Sequence, residues 1–314
     1  MTRQDKSEIV RRIAREVGFD TCGIARAAPI GRADYLREWL EAGRVGSMGY
    51  LHKHLDKRLD PRGMLEGAQS VIVVALLYHQ NSPQAVEDCP AAKTGRVAMY
   101  AWGDDYHDVL GAKLNEMIER VRPALVEKFE AFVCVDTAPI VEREWAAAAG
   151  IGWIGKNTLV LNRELGSYFF LGVVVTTLEL EPDEPVEDHC GSCTACLEAC
   201  PTAAFTAPYH MDASRCISYL TIEHRGDISK PFQEMMGDWI FGCDVCQEVC
   251  PHNRKAAVTR EPRFAPRETV ARLPVDEVRL WDEQEYRARF QGSAILRAKV
   301  GMMQRNARIV EANA

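Results

Sequence analysis

The sequence predicts an α/β (α+β) domain followed by a smaller, cysteine-rich domain, and three observations carry that prediction. Helix-like and strand-like segments alternate over residues 1–180. An acidic, proline-broken stretch interrupts the chain just before the first of two cysteine groups. Eight of the eleven cysteines then fall in those two groups.

Taken in order, Asp5–Val17 places Ile9, Ile13 and Val17 at helical spacing and stops at Gly18. Ser70–Tyr78 is a continuous apolar run bounded by turn signals, as a buried central strand requires. Asp104 to about Glu130 reads as a long amphipathic helix, Ala131–Asp136 as a short strand, and Ile140–Ala149 as a helix stopped by Gly150. Leu159–Leu161 and Tyr168–Thr177 read as strands of a hairpin around Asn162–Gly166. Glu179–His189 carries six acids and two prolines, which suits neither a buried strand nor a regular helix, so it reads as a linker. The expected units are 1–180, 181–260 and a basic helical segment 261–314 that packs on the core.

With 314 residues, 47% hydrophobic and 26% charged, the chain has ample core for about two domains. Its net charge of −7 argues against general, field-driven nucleic-acid binding but leaves room for a local patch. The polar amino terminus lacks the apolar core of a signal peptide. The longest apolar stretch, Tyr168–Leu178, falls far short of the ~20 residues of a membrane-spanning helix. A soluble, cytoplasmic protein is therefore expected, with no repeats or low-complexity tract.

The first cysteine group reads Cys190-x₂-Cys193-x₂-Cys196-x₃-Cys200-Pro201, and the second Cys243-x₂-Cys246-x₃-Cys250-Pro251, with Cys216 upstream. The first is the bacterial ferredoxin pattern for [4Fe–4S] clusters, in which the cysteine before proline serves the other cluster. Cys190, Cys193 and Cys196 then take Cys250 as their fourth ligand. Cys200, Cys243 and Cys246 are short by one, and Cys216 is the spare thiol nearby. The arithmetic closes at two clusters and points to one-electron transfer. Zinc favours paired C-x₂-C knuckles, and disulfides need an oxidising compartment. Cys22, Cys89 and Cys134 are given no role, and Cys134 reads as a small buried hydrophobe.

Three other motifs are more ambiguous. Asp136 ends a strand and precedes Thr137-Ala138-Pro139 and Glu142-Arg143-Glu144, which is how helices start, and composition alone favours a cap. The functional alternative is an acid at the carboxyl end of a strand. Gly150–Asn157 is either a plain turn or a glycine-lined site whose ligand-facing groups are Lys156 and Asn157. Asp105-Tyr-His107-Asp-Val-Leu-Gly111 nearly matches the Asp-x-His-x-x-Gly cobalt-ligand motif, but its glycine comes one residue late and inside a helix. It is rejected as such, though Tyr106 and His107 can still face a pocket. Six basic residues and no acid occupy Arg287–Arg308, a solvated helix face or a strip for an RNA backbone.

In sequence the chain resembles the epoxyqueuosine reductase family. The likeness rests on Val135–Pro139, Ala149–Asn157, Cys190–Thr202, Asp212–Glu223 and Gly242–Pro251, and runs on to Gln304–Ala307. The ferredoxin motifs alone are widely shared; combined with Gly-Trp-Ile-Gly-Lys-Asn and Cys-Ile-Ser-Tyr-Leu-Thr-Ile-Glu they are specific. Many members carry a further helical-repeat extension that helps hold tRNA, and this chain stops before it.

The resemblance implies a cobalamin-binding first domain, two clusters feeding electrons to cobalt, and removal of the epoxide oxygen of epoxyqueuosine at the wobble position of tRNA. It implies Asp136 as proton donor, with burial beside the corrin raising its carboxyl above ~3.9. It further implies cobalamin held without a protein ligand below the metal, and Arg58, Lys156, Asn157, Tyr219 and Glu223 as candidates for that pocket. The other partners expected are a flavodoxin- or ferredoxin-type donor and tRNA along the carboxyl-terminal strip, with Arg297 and Arg305 as contacts to a monomer. Two rival readings are a corrinoid reductase of a small electrophile and a non-catalytic electron carrier. The first is weakened because Arg11-Arg12 lacks the apolar region of a twin-arginine signal.

Overall fold

The computed structural model describes residues 1–81, 93–268 and 270–313, so Cys89 lies outside the described residues. Its largest sheet orders the strands Thr21–Arg26, Ser70–Leu77, Phe169–Thr176 and Ala131–Cys134. Every neighbouring pair runs antiparallel. The predicted alternation of helix and strand is present, yet it fixes which faces are covered and not which way a strand runs. The α+β description is therefore the accurate one.

Ser70–Leu77 is buried at every position because both faces of the sheet are covered. Ile72, Val74 and Leu76 pack with the helices Arg3–Val17 and Tyr106–Ala124. Val71, Val73, Ala75 and Leu77 pack on the other side with Trp145 and Ala146 of the helix Glu142–Ala148 and with Ile30 and Leu59. The first helix starts where a capping box predicts: Thr2 Oγ1 accepts from the Asp5 amide at 3.1 Å and Asp5 Oδ2 from the Thr2 amide at 2.8 Å. It stops at Gly18, whose φ of 98° favours glycine.

Two boundaries differ from expectation. The long helix ends at Ala124, next to Pro123, and not near Glu130, whose amide bonds Thr177 Oγ1 at 2.9 Å. Val160–Leu161 pairs with Trp153–Ile154 and not with Phe169–Thr176; only an Asn162–Gly166 bridge joins the predicted hairpin arms. Asn162 Oδ1 accepts from the amides of Glu164 and Leu165, turning the chain before the long strand leaves for the main sheet.

A second sheet sets Thr94–Val97 between Trp239–Phe241 and Arg272–Pro274. A strand from the amino-terminal half thus pairs with the cluster-bearing part and the carboxyl-terminal segment. In that segment Trp281, Tyr286, Ile295 and Met303 join Val97, Trp102 and Phe241 in one core. The short helices Ala195–Ala199 and Val245–Glu248, one from each cysteine group, lie against each other. Among the described residues no helix is long and apolar enough to cross a membrane.

Candidate active site

By the charges they feel, the eight cysteines fall into two neighbourhoods. Burial raises the Cys196 thiol, and the neighbouring charges that add to this are those of Cys250, Cys190 and Cys193. Burial raises Cys246 likewise, with Cys216, Cys243 and Cys200 among its neighbours. Cys216, half-buried, also feels Cys200. Cys250 thus neighbours the first cysteine group and Cys200 the second. Among the described residues no three His, Cys, Asp or Glu side chains are placed to hold a single metal ion.

The surroundings also fit iron–sulfur clusters. Amides of Ser218 and Tyr219 face the Cys216 sulfur, and those of His252 and Asn253 face Cys250. The Ala204 amide lies 3.3 Å from Cys200 Sγ. Trp153 Nε1 is buried with no oxygen or nitrogen partner and lies beside the Cys190 sulfur. Such N–H groups stabilise thiolates on a cluster. Cys134 is 1% exposed, the buried hydrophobe expected.

Lys156 and Asn157 turn toward the clusters. Lys156 Nζ donates to the carbonyls of Gly191 at 2.6 Å and Cys193 at 2.9 Å. Asn157 Nδ2 reaches the Cys246 carbonyl at 3.5 Å. The glycine-rich turn is thus a clasp between the two cysteine loops, with the polar ends of both side chains taken up by backbone carbonyls there.

The polar centre of the amino-terminal domain is Asp136. It caps no helix: the helix Glu142–Ala148 has Val141 at its N-cap and no side-chain capping bond. Asp136 instead adopts φ 50°, a left-handed conformation that is uncommon for a non-glycine residue. Its Oδ2 lies 3.2 Å from His107 Nε2, and His107 Nδ1 lies 2.7 Å from Asp105 Oδ1. Asp105 also accepts from the His107 amide at 3.0 Å, which starts the long helix and fixes the imidazole. Tyr106 stacks between the rings of His107 and Phe170, with centroids 4.1 and 4.4 Å away, and turns its hydroxyl toward Asp136.

The Asp136 carboxyl departs in the direction opposite to the one expected: desolvation would raise it, but the side chain stays largely exposed. The hydrogen bond and charge of His107, the Tyr106 hydroxyl and the Arg297 charge outweigh desolvation and hold the group below its ordinary value. For His107, burial opposes the charge, but Asp105 and Asp136 prevail and raise it to about 9. The proton of the pair therefore rests on His107. Glu142 behaves oppositely: burial, then the Asp136 charge, raise its carboxyl to about 7. Its Oε1 is buried without a partner.

Of the other expected residues, Arg58 is half-buried and near enough to feel Glu142, Tyr50 and Asp136. Glu223 holds Arg297 in a two-pronged pair at 2.8 and 3.1 Å, and Arg297 lies 5.5 Å above the Tyr50 ring. Tyr219 stands behind the site. Its hydroxyl bonds both the amide and the Oγ of Ser47 at 2.8 Å, and its ring lies where a Cβ on Gly46 would come within 2.6 Å. Tyr219 thus fixes the loop that presents Tyr50.

Arg305 does not stand on an open basic strip. Its guanidinium donates to the carbonyls of His224, Gly226 and Leu220 at 2.6–2.7 Å, closing the end of the helix Ile217–Ile222. The strip itself is largely paired, Arg287 with Glu283, Arg289 with Glu277 and Arg297 with Glu223. Tyr50 and Glu142 had no sequence signal beyond an exposed aromatic in a glycine-rich loop and a second acid after Asp136. His107 had one, in the Asp-Tyr-His start of a helix, but nothing local pointed from it to Asp136.

His107, Arg58, Glu223 and Arg297 gather around Asp136, each close enough to share charge with it or with a neighbour of it. Together with the two cysteine groups they mark an iron–sulfur oxidoreductase. Residues 189–253 match the family described as a 4Fe-4S double cluster binding domain, and residues 58–137 that described as Epoxyqueuosine reductase QueG, DUF1730. The epoxyqueuosine reductase of Cellulophaga algicola is 40% identical over 307 residues, 97% of this chain and 98% of its own. The chain belongs to the epoxyqueuosine reductase family. The Pseudomonas aeruginosa enzyme is 41% identical over 301 residues, 96% of this chain and 83% of its own. A crystal structure of epoxyqueuosine reductase with an epoxyqueuosine-modified tRNA-Tyr stem loop superposes with a TM-score of 0.90 at 30% identity, covering 98% of this chain and 80% of that one. The Bacillus subtilis enzyme, described with its catalytic aspartate loop swung out of the active site, gives 0.89 at 30% identity, covering 98% and 81%.

Proposed function

We propose that this chain reduces the epoxide of epoxyqueuosine at the wobble position of tRNA to the alkene of queuosine. The reaction consumes two electrons and two protons per epoxide and releases water. Membership of the family supports the substrate, and the observation that carries the chemistry is the His107–Asp136 pair, a proton held next to a solvent-reachable carboxylate. The first cluster takes Cys190, Cys193, Cys196 and Cys250, and the second Cys200, Cys216, Cys243 and Cys246.

Cobalamin, when bound, supplies the reducing centre at the epoxide, with electrons arriving through the two clusters. Both His107 nitrogens are engaged by carboxylates, so this imidazole would serve as proton holder beside the cofactor. Arg58, Glu223 and Arg297 form the site's polar wall, and Tyr50 offers an aromatic face. Asp136 passes to the departing oxygen the proton that His107 holds, and Tyr106 keeps the carboxylate aimed. Arg297, tied to Glu223 at the site, is the tRNA contact retained; Arg305 supports the chain beneath it. The three-unit division at 180 and 260 is kept as a description of function and not of independent folding. A soluble one-electron donor of the flavodoxin or ferredoxin class, a monomeric state and a cytoplasmic location complete the reading.

Asp136→Asn separates this from a non-catalytic carrier. The variant is expected to keep both clusters and accept electrons while producing no queuosine from epoxyqueuosine-containing tRNA. Wild-type turnover in the variant would remove Asp136 from the mechanism.

A further inference from the structure

We propose that Lys156 is the fixed charge that sets the reduction potential of the first cluster above the value its thiolates alone would give. Its side chain is buried, with 9% of the residue exposed, and its Nζ meets the carbonyls of Gly191 and Cys193 inside the first cluster loop. Among the described residues it forms no ion pair with a carboxylate, the ion pairs of lysine being those of Lys6 and Lys113. Asp188 is close enough to feel its charge, but that side chain is exposed and accepts from the Cys190 amide at 2.6 Å and from the Tyr209 hydroxyl.

A buried ammonium without a counter-charge is costly, and protein interiors avoid it. Four thiolates around a [4Fe–4S] core carry the negative charge this ammonium lacks, and that charge grows when the cluster takes up an electron. A cation held at a fixed distance therefore favours the reduced form. The turn leaves it little freedom. The Lys156 amide faces the Cys190 sulfur, its carbonyl accepts from the Tyr209 amide at 3.1 Å, and Asn157 Oδ1 accepts from the Leu159 amide at 3.2 Å.

The second cluster receives no matching charge from this turn. The next residue, Asn157, reaches the Cys246 carbonyl with a neutral amide. One Lys-Asn pair thus touches both cluster loops and brings its own charge to the first alone. This rests on the ligation proposed above, but its test needs no tRNA and no turnover, so it can fail or succeed apart from the substrate assignment.

The experiment is a redox titration of Lys156→Gln and Lys156→Arg, followed by electron paramagnetic resonance, with iron and sulfide content measured on the same samples. Lys156→Gln keeps donors and removes charge. Its first cluster is expected to be at least tenfold harder to reduce by one electron, a fall of about 59 mV or more, with the second cluster much less affected. Lys156→Arg keeps the charge and is expected to hold the wild-type potential, and this arm decides the matter if Lys156→Gln fails to assemble the first cluster. Unchanged potentials in Lys156→Gln with both clusters present would overturn the proposal. So would a fall in Lys156→Arg as large as in Lys156→Gln.

Discussion

His107 Nε2 stands 3.2 Å from Asp136 Oδ2, across an end of the main sheet from the start of the long helix, and the second carboxylate of Asp105 holds the far side of the imidazole. The arrangement places a cation where a departing oxygen needs a proton. His107 is raised to about 9, so the imidazolium is the form present at neutral pH. For stability the sign is that of a raised histidine: the contribution is complete below the ordinary value near 6.5 and is lost as pH rises through about 9. Turnover is expected to fall over the same alkaline range. His107→Gln should lower kcat by about 10²- to 10⁴-fold with cluster content unchanged, and should abolish that alkaline limb. A variant with wild-type kcat and the same limb would assign the proton elsewhere.

Glu142 predicts the opposite use of pH. Its carboxyl is raised to about 7 from an ordinary 4.5. A raised carboxyl contributes stability that is present below the ordinary value and lost as pH rises through about 7. Glu142→Gln is neutral throughout, so wild type should lose urea resistance relative to it between about pH 5 and about pH 8. Parallel midpoints across that range would mean the buried carboxyl does not titrate there.

The crossed ligation is testable by the two prolyl-side cysteines. Cys200→Ser belongs to the first motif in sequence but should cost the second cluster, and Cys250→Ser should cost the first. Spectra of each variant, with the Lys156-dependent cluster as marker, tell the two losses apart. Loss of the motif-matched cluster in each case would mean the thiols are sorted by motif.

Arg305→Ala should act on folding. Three backbone carbonyls lose their donor at the end of the helix Ile217–Ile222, at a cost of about 2 kcal/mol or more. A lower melting temperature is expected. Arg297→Glu should leave the melt closer to wild type and weaken tRNA binding with a reduced salt slope. Equal melts for wild type and Arg305→Ala would remove the supporting role assigned to Arg305.

What was legible in the sequence was what short-range spacing controls. The double-cluster domain follows from counts between cysteines, and the buried strand Ser70–Leu77 follows from its unbroken apolar run. Strand direction did not follow, because an antiparallel sheet covered on both faces buries its central strand as fully as a parallel one. His107 and Asp136 are 29 residues apart and meet only because a strand ends beside a helix start, so neither residue announces the other. Lys156 and Arg305 were only partly legible for a shared reason. A basic side chain in a loop or a helix reads as a ligand contact, yet both donate to backbone carbonyls of neighbouring loops. The left-handed Asp136 was equally invisible, since Asp before Thr-Ala-Pro is an ordinary helix start.

The central claim is tested most directly by incubating the cluster-reconstituted protein anaerobically with epoxyqueuosine-containing tRNA and a strong reductant, with and without cobalamin, and weighing the digested nucleosides by mass spectrometry. Queuosine that appears only with cobalamin is the predicted result. Epoxyqueuosine left intact with cobalamin bound and both clusters reduced would contradict it.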